Sequence, residues 1–305
     1  MDGERTAADV FRLLSDQTRL DVLRTVARAQ HEGSGPGTLS FSDIYDRVDV
    51  ANTSKLSYHL GELTGTFLRK QDGTYAFTHA GERLVRFVLA ENYAAPDDVG
   101  PVPTDGTCLH CGEAALRATL EAQFFTVRCE ACERPAFVYR VTPAQVRERG
   151  GEALVDAVIW AQAADFLKMR QGVCPDCAGR LDTSVLAAED VPAPAPMPVS
   201  FGTLSECRAC LRRMSVPLTH AAVYHPESVA FHWEHGVDIV GTGVWEFHRH
   251  LYDGQWAAER VEDEPEAYRV ELRVDTTSLH LYLDEHATVT RTERVQRRDQ
   301  RERRS

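Results

Sequence analysis

Cysteine is the residue whose spacing most directly indicates chemistry in this 305-residue chain. The eight cysteines form four Cys-x-x-Cys pairs, which are Cys108/Cys111, Cys129/Cys132, Cys174/Cys177 and Cys207/Cys210. Two such pairs can surround a zinc ion with four thiolates, which leaves no open coordination position for catalysis. In a reducing compartment the pattern favours metal over disulfides. We therefore expect two structural Zn2+ ions held by these eight residues.

The spacing between pairs indicates how they combine. The first two pairs are separated by 17 residues, which is typical of a four-thiolate zinc ribbon, and Gly112 suits the tight turn after Cys111. The last two pairs are separated by 29 residues, including the proline-rich run 191–198. Redox-active dithiols, one binuclear cluster and a crossed pairing of the motifs stay open as alternatives at this point.

Histidines near the C-terminus are a second candidate for metal binding: His220, His225, His232, His235, His248 and His250. Two of them, His232 and His235, have i, i+3 spacing on a predicted helix. We favour the interpretation that the six are scattered surface histidines. Trp233, Trp245 and Trp256 are expected in the core rather than in a ligand cage, although a small-molecule pocket among the strands also fits.

The charge balance constrains the class of partner. The net charge is −12, with 3 lysines, 31 arginines and 46 acidic residues, a pattern typical of proteins that work in molar salt. There the Debye length is about 3 Å, so an acidic surface repels DNA weakly. Residues 1–93 carry 11 basic and 13 acidic groups, whereas residues 94–305 carry 23 and 33. The acidity therefore lies mostly outside the N-terminal segment.

The sequence also argues against several classes of protein. It has no apolar stretch of membrane-spanning length and no basic-then-apolar leader at its start, so we expect a cytoplasmic protein without membrane contact. It has no nucleophile elbow, P-loop, dinucleotide fingerprint or His-Glu-x-x-His motif, so we do not expect an enzyme.

Apolar periodicity predicts helices over 7–14, from Asp16 onward, over 41–48 and over 54–63, then a hairpin at Asp72-Gly73 and a last helix to residue 93. Ser40 and Asp43 have capping-box spacing, and Asn52 or Thr53 caps the fourth helix. This order predicts a winged helix-turn-helix.

The predicted fold class is α+β: the winged helix-turn-helix is followed by two zinc-ribbon-like units with small antiparallel sheets and a connecting helix. The predicted segments are the DNA-binding domain (1–94), a Pro/Gly/Asp linker (95–106), zinc ribbon 1 (107–142), a connecting helical segment (143–172), zinc ribbon 2 with a β-rich region turning at Asp253-Gly254 (173–290), and a disordered Arg-rich tail (291–305).

Residues 8–93 resemble the ArsR-type winged-helix regulators of archaea in the segments FRLLSDQTRLDVLRTV, FSDIYDRV, NTSKLSYHLGELTG and FLRKQDGTYAFTHAGERLV. The layout of the whole chain is similar to regulators of salt-loving archaea. The helix over 41–48 has no cysteine, so the metal-sensing thiolates of some members do not carry over. The resemblance implies a DNA-binding transcriptional regulator that forms a homodimer through its first and last helices, with Phe11 and Phe87 at the interface.

A recognition helix places its N-terminal residues in the major groove. The expected DNA contacts are Thr53, Ser54, Lys55, Ser57, Tyr58 and His59 on the fourth helix, and Arg69 and Lys70 in the wing. For each residue the alternative is a solvated surface position, and His59 can equally pack against the wing or bond a carbonyl. The competing function is a module that docks on the transcription machinery without reading DNA sequence.

Overall fold

The structure is a computed structural model that describes residues 6–32, 37–121, 123–191 and 199–296. The protein is a mixed α+β protein with several small antiparallel sheets and two cysteine clusters. It divides into two compact units, Met1–Ala95 and Pro96–Ser305, which are described here one at a time. None of the helices in the described part of the chain combines the length and apolar character needed to cross a bilayer.

The described residues of the N-terminal unit form five helices and a three-stranded sheet with strand order β1-β3-β2. Its elements are α1 (Ala7–Leu13), α2 (Gln17–Glu32), β1 (Leu39–Ser40), α3 (Phe41–Tyr45), α4 (Thr53–Leu63), β2 (Leu68–Gln71), β3 (Thr74–Phe77) and α5 (His79–Leu89). Strands β2 and β3 form the hairpin predicted at Asp72-Gly73, where both residues have positive φ.

Side-chain caps fix where these helices begin. The Ser40 hydroxyl accepts a hydrogen bond from the Asp43 amide, and the Asp43 carboxylate accepts one from the Ser40 amide, which confirms the predicted capping box. Asn52 caps α4 by accepting from the Lys55 amide at 2.9 Å, and Thr78 caps α5. Such caps satisfy amides that a helix start leaves without partners.

The core of this unit forms around one face of α4. Leu56, Leu60 and Leu63 are almost fully buried, and they belong to the same apolar cluster as Val22 and Leu23 of α2. A single buried face with i, i+4 and i+7 spacing is what an amphipathic helix requires. The packing is also close at α5, where a Cβ added to Gly81 would lie 1.9 Å from the Phe67 carbonyl oxygen.

The C-terminal unit contains three antiparallel sheets with strand orders β4-β5-β6-β7, β10-β9-β8 and β11-β12-β13-β14. Its strands are β4 (Val99–Pro103), β5 (Leu116–Glu121), β6 (Phe124–Cys129), β7 (Pro135–Arg140), β8 (Leu181–Ala187), β9 (Phe201–Cys207), β10 (Arg213–Pro217), β11 (Trp256–Asp263), β12 (Glu266–Val274), β13 (Thr277–Asp284) and β14 (Val289–Gln296). Its helices are α6 (Pro143–Glu148), α7 (Glu152–Met169), α8 (Leu218–Val223), α9 (Pro226–Glu234) and α10 (His248–Tyr252), with a 3-10 turn at Ala188–Asp190.

One apolar core joins these sheets to the helices. Helix α7 contributes buried Val158 and Phe166, and the third sheet contributes Tyr268 and Leu281. Phe166 stacks on Tyr224, just after α8, with ring centroids 4.8 Å apart. Val158, Ile159 and Phe166 lie on the buried side of α7, whereas Trp160 and Leu167 are exposed on its other side.

Three sequence expectations for this unit are corrected by the structure. The predicted linker 95–106 contains β4, which pairs with β5. Asp253-Gly254 ends α10 rather than joining strands, and the third sheet begins only at Trp256 and turns between Asp263 and Glu266. Part of the predicted disordered tail, 291–296, belongs to β14, and 297–305 lies outside the described residues.

Candidate metal centres

The first cysteine cluster brings together Cys108, Cys111, Cys129 and Cys132. All four sulfurs lie within 4.8 Å of one another, and the Sγ–Sγ distances of the Cys108–Cys132 and Cys111–Cys129 pairs are both 3.7 Å. The two motifs are therefore combined in the order that their 17-residue spacing predicts, and the crossed pairing is excluded.

The second cluster brings together Cys174, Cys177, Cys207 and Cys210 by the same criterion. Its Sγ–Sγ distances are 3.6 Å for Cys174–Cys210 and 3.5 Å for Cys177–Cys207. The 29-residue separation does not prevent the site from closing. Strands β8 and β9 pair along their whole length, so the end of β9 with Cys207 lies beside the start of β8, which follows Cys177.

Both clusters are built on the same arrangement of strands. The first Cys-x-x-Cys turn precedes an antiparallel pair, the second begins at the last residue of that pair, and a third strand follows. The register repeats as well, since Leu116 of β5 lies opposite Cys129 and Leu181 of β8 lies opposite Cys207. The C-terminal unit therefore contains the same metal-binding scaffold twice.

The four turns share one backbone geometry. In each turn the amide of the first cysteine donates to the carbonyl five residues later, and the amide four residues later donates back to its carbonyl, as Cys108 does with Glu113 and Gly112. The residue after the second cysteine always has positive φ: Gly112, Glu133, Ala178 and Leu211. From the sequence, a positive φ was expected only at Gly112, because glycine is the residue that adopts this conformation without steric cost.

Backbone amides also point at the sulfurs. The His110 amide donates to Cys108 Sγ and the Gly179 amide to Cys177 Sγ, both at 3.4 Å. Hydrogen bonding from the Cys210 amide lowers the pKa of the Cys207 thiol to about 6, which favours the thiolate that a metal ion binds. Burial has the opposite effect at Cys108, where it raises the pKa to about 12.

The donor set fits a tetrahedral metal ion. A Zn–S distance of about 2.3 Å places the sulfurs of a tetrahedral site about 3.8 Å apart, close to the observed pairs. All four ligands at each site are cysteines, so metal bound there is fully coordinated by protein and has no position for substrate. Both clusters are thus positioned to bind a metal ion.

The histidines form no comparable site within the described residues. The interpretation as scattered surface residues is wrong for His220, His232 and His248, which are buried. Burial lowers the pKa of His220 and of His232 to about 4. Nδ1 of His232 lies 2.7 Å from the Ser228 carbonyl oxygen and Nδ1 of His235 lies 2.7 Å from that of Phe231. Each ring is thus bonded within its own helix, and the i, i+3 pair does not form a metal site.

The tryptophans divide in the same way. Trp245 and Trp256 are buried in the core as expected, whereas Trp233 is exposed and the prediction for it is wrong. His250 stacks on Trp256 with ring centroids 4.7 Å apart.

The eight residues predicted to contact DNA do not all lie in the same kind of environment. Five of them are exposed on α4: Thr53, Ser54, Lys55, Ser57 and Tyr58. Arg69 and Lys70 are exposed on β2, where Arg69 donates to the Phe77 carbonyl and Lys70 lies over the Tyr75 ring. The eighth, His59, is only 6% exposed, with Nδ1 3.7 Å from Asp16 Oδ1. The predicted surface role of His59 is corrected, because it faces inward beside Leu56 and Leu60.

Comparison with known proteins separates the two units. A family described as "Domain of unknown function (DUF7347)" matches residues 7–88, and one described as "Domain of unknown function (DUF7351)" matches residues 105–289. No curated protein and no solved structure matches the chain. Because its match covers more than half of the sequence, the chain belongs to the DUF7351 family.

Proposed function

We propose that the protein is a DNA-binding transcriptional regulator whose N-terminal unit is a winged helix-turn-helix of the ArsR type. In this proposal α3 and α4 form the helix-turn-helix, α4 is the recognition helix, and the β2–β3 hairpin is the wing. The order of elements in the N-terminal unit and the segments that resemble ArsR-type regulators support this assignment.

The observation that carries the proposal is the two-sided character of α4. One side holds the leucines of the core, and the other presents Thr53, Ser54, Lys55 and Ser57 to solvent next to a capped helix start. Hydroxyl groups and a helix N-terminus suit phosphate oxygens, and a lysine suits a phosphate or a guanine edge. Tyr58, 59% exposed, extends the same surface.

We further propose that both cysteine clusters hold Zn2+ in a structural role and that the regulator acts as a homodimer. The dimer proposal is supported by Phe11 of α1 and Phe87 of α5, which are 72% and 44% exposed. Phe87 also lies beside exposed Tyr93, with ring centroids 6.2 Å apart, and contiguous exposed apolar surface is typical of an association site. Sedimentation of the full chain tests it: a monomer at micromolar concentration would contradict it.

A second candidate function is a module that docks on the transcription machinery through protein contacts. The near balance of charge in residues 1–93 favours it, because this segment has no excess of basic groups for phosphates.

Fluorescence anisotropy separates the two functions. The probe is a labelled duplex carrying the region upstream of the protein's own gene, in about 1 M KCl, where nonspecific attraction is screened. We expect wild type to bind it in preference to a shuffled duplex, and Lys55→Glu to weaken binding at least about tenfold. Arg28→Glu is the matched control, because Arg28 is exposed on α2 outside the proposed surface. Equal binding by wild type and Lys55→Glu would contradict the proposal.

A further inference from the structure

A cavity of about 360 Å³ lies inside the C-terminal unit, between β7, α7 and β10. Its walls include residues that flank both cysteine clusters, such as His110 and Pro135 beside the first and Arg212 beside the second. The volume is within the range of sites for small organic ligands. The position means that both metal-binding scaffolds shape this one space.

Most of the wall is apolar and held in place by packing. Phe137 and Phe166 line the cavity together with Met169, Met214 and Val244. Phe137 also packs against buried Trp245, with ring centroids 5.3 Å apart, and Phe166 stacks on Tyr224. Aromatic rings fixed from behind in this way give a preformed surface for the apolar body of a ligand.

Two polar groups in the wall lack hydrogen-bond partners among the described residues. They are Nδ1 of His248, whose side chain is only 5% exposed, and Nε of Arg212. Other buried polar groups of the wall are satisfied: Gln162 donates to the Tyr224 hydroxyl at 2.7 Å and accepts from the Val244 amide. Leaving a buried polar atom without a partner is costly, so a small shift of either side chain towards a polar ligand atom would be favourable.

The charges around the cavity indicate which ligand group fits. Arg213 is paired with Glu206 at 2.8 Å. The carboxylate of Asp165 accepts from the Tyr139 hydroxyl at 2.6 Å and lies 3.9 Å from Lys168 Nζ, so its charge is compensated. Arg212 Nε lies 3.5 Å from the Asp176 carboxylate, which is 55% exposed, so solvent weakens this ion pair. Its guanidinium is therefore the cation best placed to receive an anionic group from a ligand.

We propose that this cavity binds a small organic carboxylic acid with an apolar, ring-sized body, whose carboxylate meets Arg212 and whose body lies between Phe137 and Phe166. The site does not depend on the proposed DNA binding, and either proposal can fail while the other stands.

Calorimetric titration of the metal-loaded full chain tests the proposal. The probes are phenylacetate, 3-phenylpropionate and 4-hydroxyphenylacetate, each compared with its uncharged amide. We expect at least one acid to bind wild type with a one-to-one ratio, and its amide to bind about tenfold more weakly or worse. Absence of binding by all three acids at millimolar concentration, or equal binding of acid and amide, would overturn the proposal.

Two variants locate the carboxylate. Arg212→Gln removes the charge while keeping a polar side chain, and we expect it to lose about tenfold or more in affinity for the acid but not for the amide. Arg213→Gln is the matched control, because that neighbouring guanidinium is already paired with Glu206. Unchanged affinity in Arg212→Gln with full metal content would overturn the assignment. The acid-to-amide comparison in wild type decides the matter even if this variant does not fold.

Discussion

Both units of the protein have an apolar core, and the C-terminal unit adds two cysteine clusters to its core. The N-terminal unit packs leucines, valines and aromatic rings around α2 and α4, and it contains no cysteine. The C-terminal unit places all eight cysteines in two clusters, one beside the sheet β4-β5-β6-β7 and one beside the sheet β10-β9-β8. The surface proposed to bind DNA and the cysteine clusters therefore lie in different units, and each can be perturbed by substitutions within its own unit.

The units also differ in what they bury. Among the described residues of the N-terminal unit, His59 is the one buried polar side chain. The C-terminal unit, in contrast, buries His220, His232, His248 and Gln162. Buried imidazoles must stay neutral to avoid the cost of desolvating a charge. The stability of the C-terminal unit should therefore respond to pH as well as to metal.

Metal removal should produce the largest difference between the units. Structural zinc contributes about 10–16 kcal/mol in small zinc domains, more than a typical domain has to spare. We expect chelation, or Cys174→Ser with Cys108→Ser, to unfold the C-terminal unit while α2, α4 and α5 stay protected. Hydrogen exchange read by mass spectrometry measures both units in one sample, and loss of protection in both, or in neither, would break the comparison.

Acid should produce the next largest effect, through the buried histidines of the C-terminal unit. The pKa values of His220 and His232 in the folded protein, about 4, lie below the usual value near 6.5, so the unfolded chain binds protons more readily. Stability is complete above about pH 6.5 and falls as the pH drops towards 4, by about 3 kcal/mol for each histidine.

Denaturant unfolding at several pH values measures that dependence, with metal content followed in parallel because thiolates also protonate in acid. His232→Asn is the matched variant, since an amide can keep the hydrogen bond to the Ser228 carbonyl without titrating. The pH dependence of its free energy of unfolding should correspond to up to one proton fewer than that of wild type. An unchanged pH dependence would show that His232 does not contribute to the acid sensitivity.

The two clusters should also differ from each other in how readily they react. Cys177 and Cys210 are exposed, whereas Cys111 and Cys132 are half-buried. Because exposed thiolates react fastest, iodoacetamide with a weak chelator should modify the second cluster first. Peptide mapping over time gives the order, and earlier modification of Cys111 or Cys132 would contradict it.

The smallest expected effect concerns the strained turns. Ala178 has φ of 60°, a conformation that costs a residue with a Cβ about 1–2 kcal/mol. Part of this is offset by the flexibility that glycine adds to the unfolded chain, so Ala178→Gly should raise the free energy of unfolding by up to about 1 kcal/mol. Ala187→Gly, at the end of β8, is the control and should lower it. Equal signs would contradict the strain argument.

The features that could be predicted from the sequence are those that depend on residues close together in the chain. The capping box at Ser40 and the Asp72-Gly73 turn act within four residues, and both were predicted correctly. Motif spacing favoured the observed grouping of the cysteines but left a crossed pairing open, which the structure excludes. Strand β4 was missed because its residues read as a Pro/Gly linker and become a strand only by pairing with distant β5. The burial of His220 and His248 was missed for the same reason, because it depends on how α8 and α10 pack in the core of the C-terminal unit.

The central claim is that exposed residues of α4 read DNA, and occupancy along the genome tests it most directly. Chromatin immunoprecipitation of wild type, Lys55→Glu and Arg28→Glu should give discrete shared sites for wild type and Arg28→Glu, and loss of those sites for Lys55→Glu. If Lys55→Glu keeps the same sites, or if wild type simply follows the polymerase at every active promoter, the regulator proposal is contradicted and the docking module is favoured.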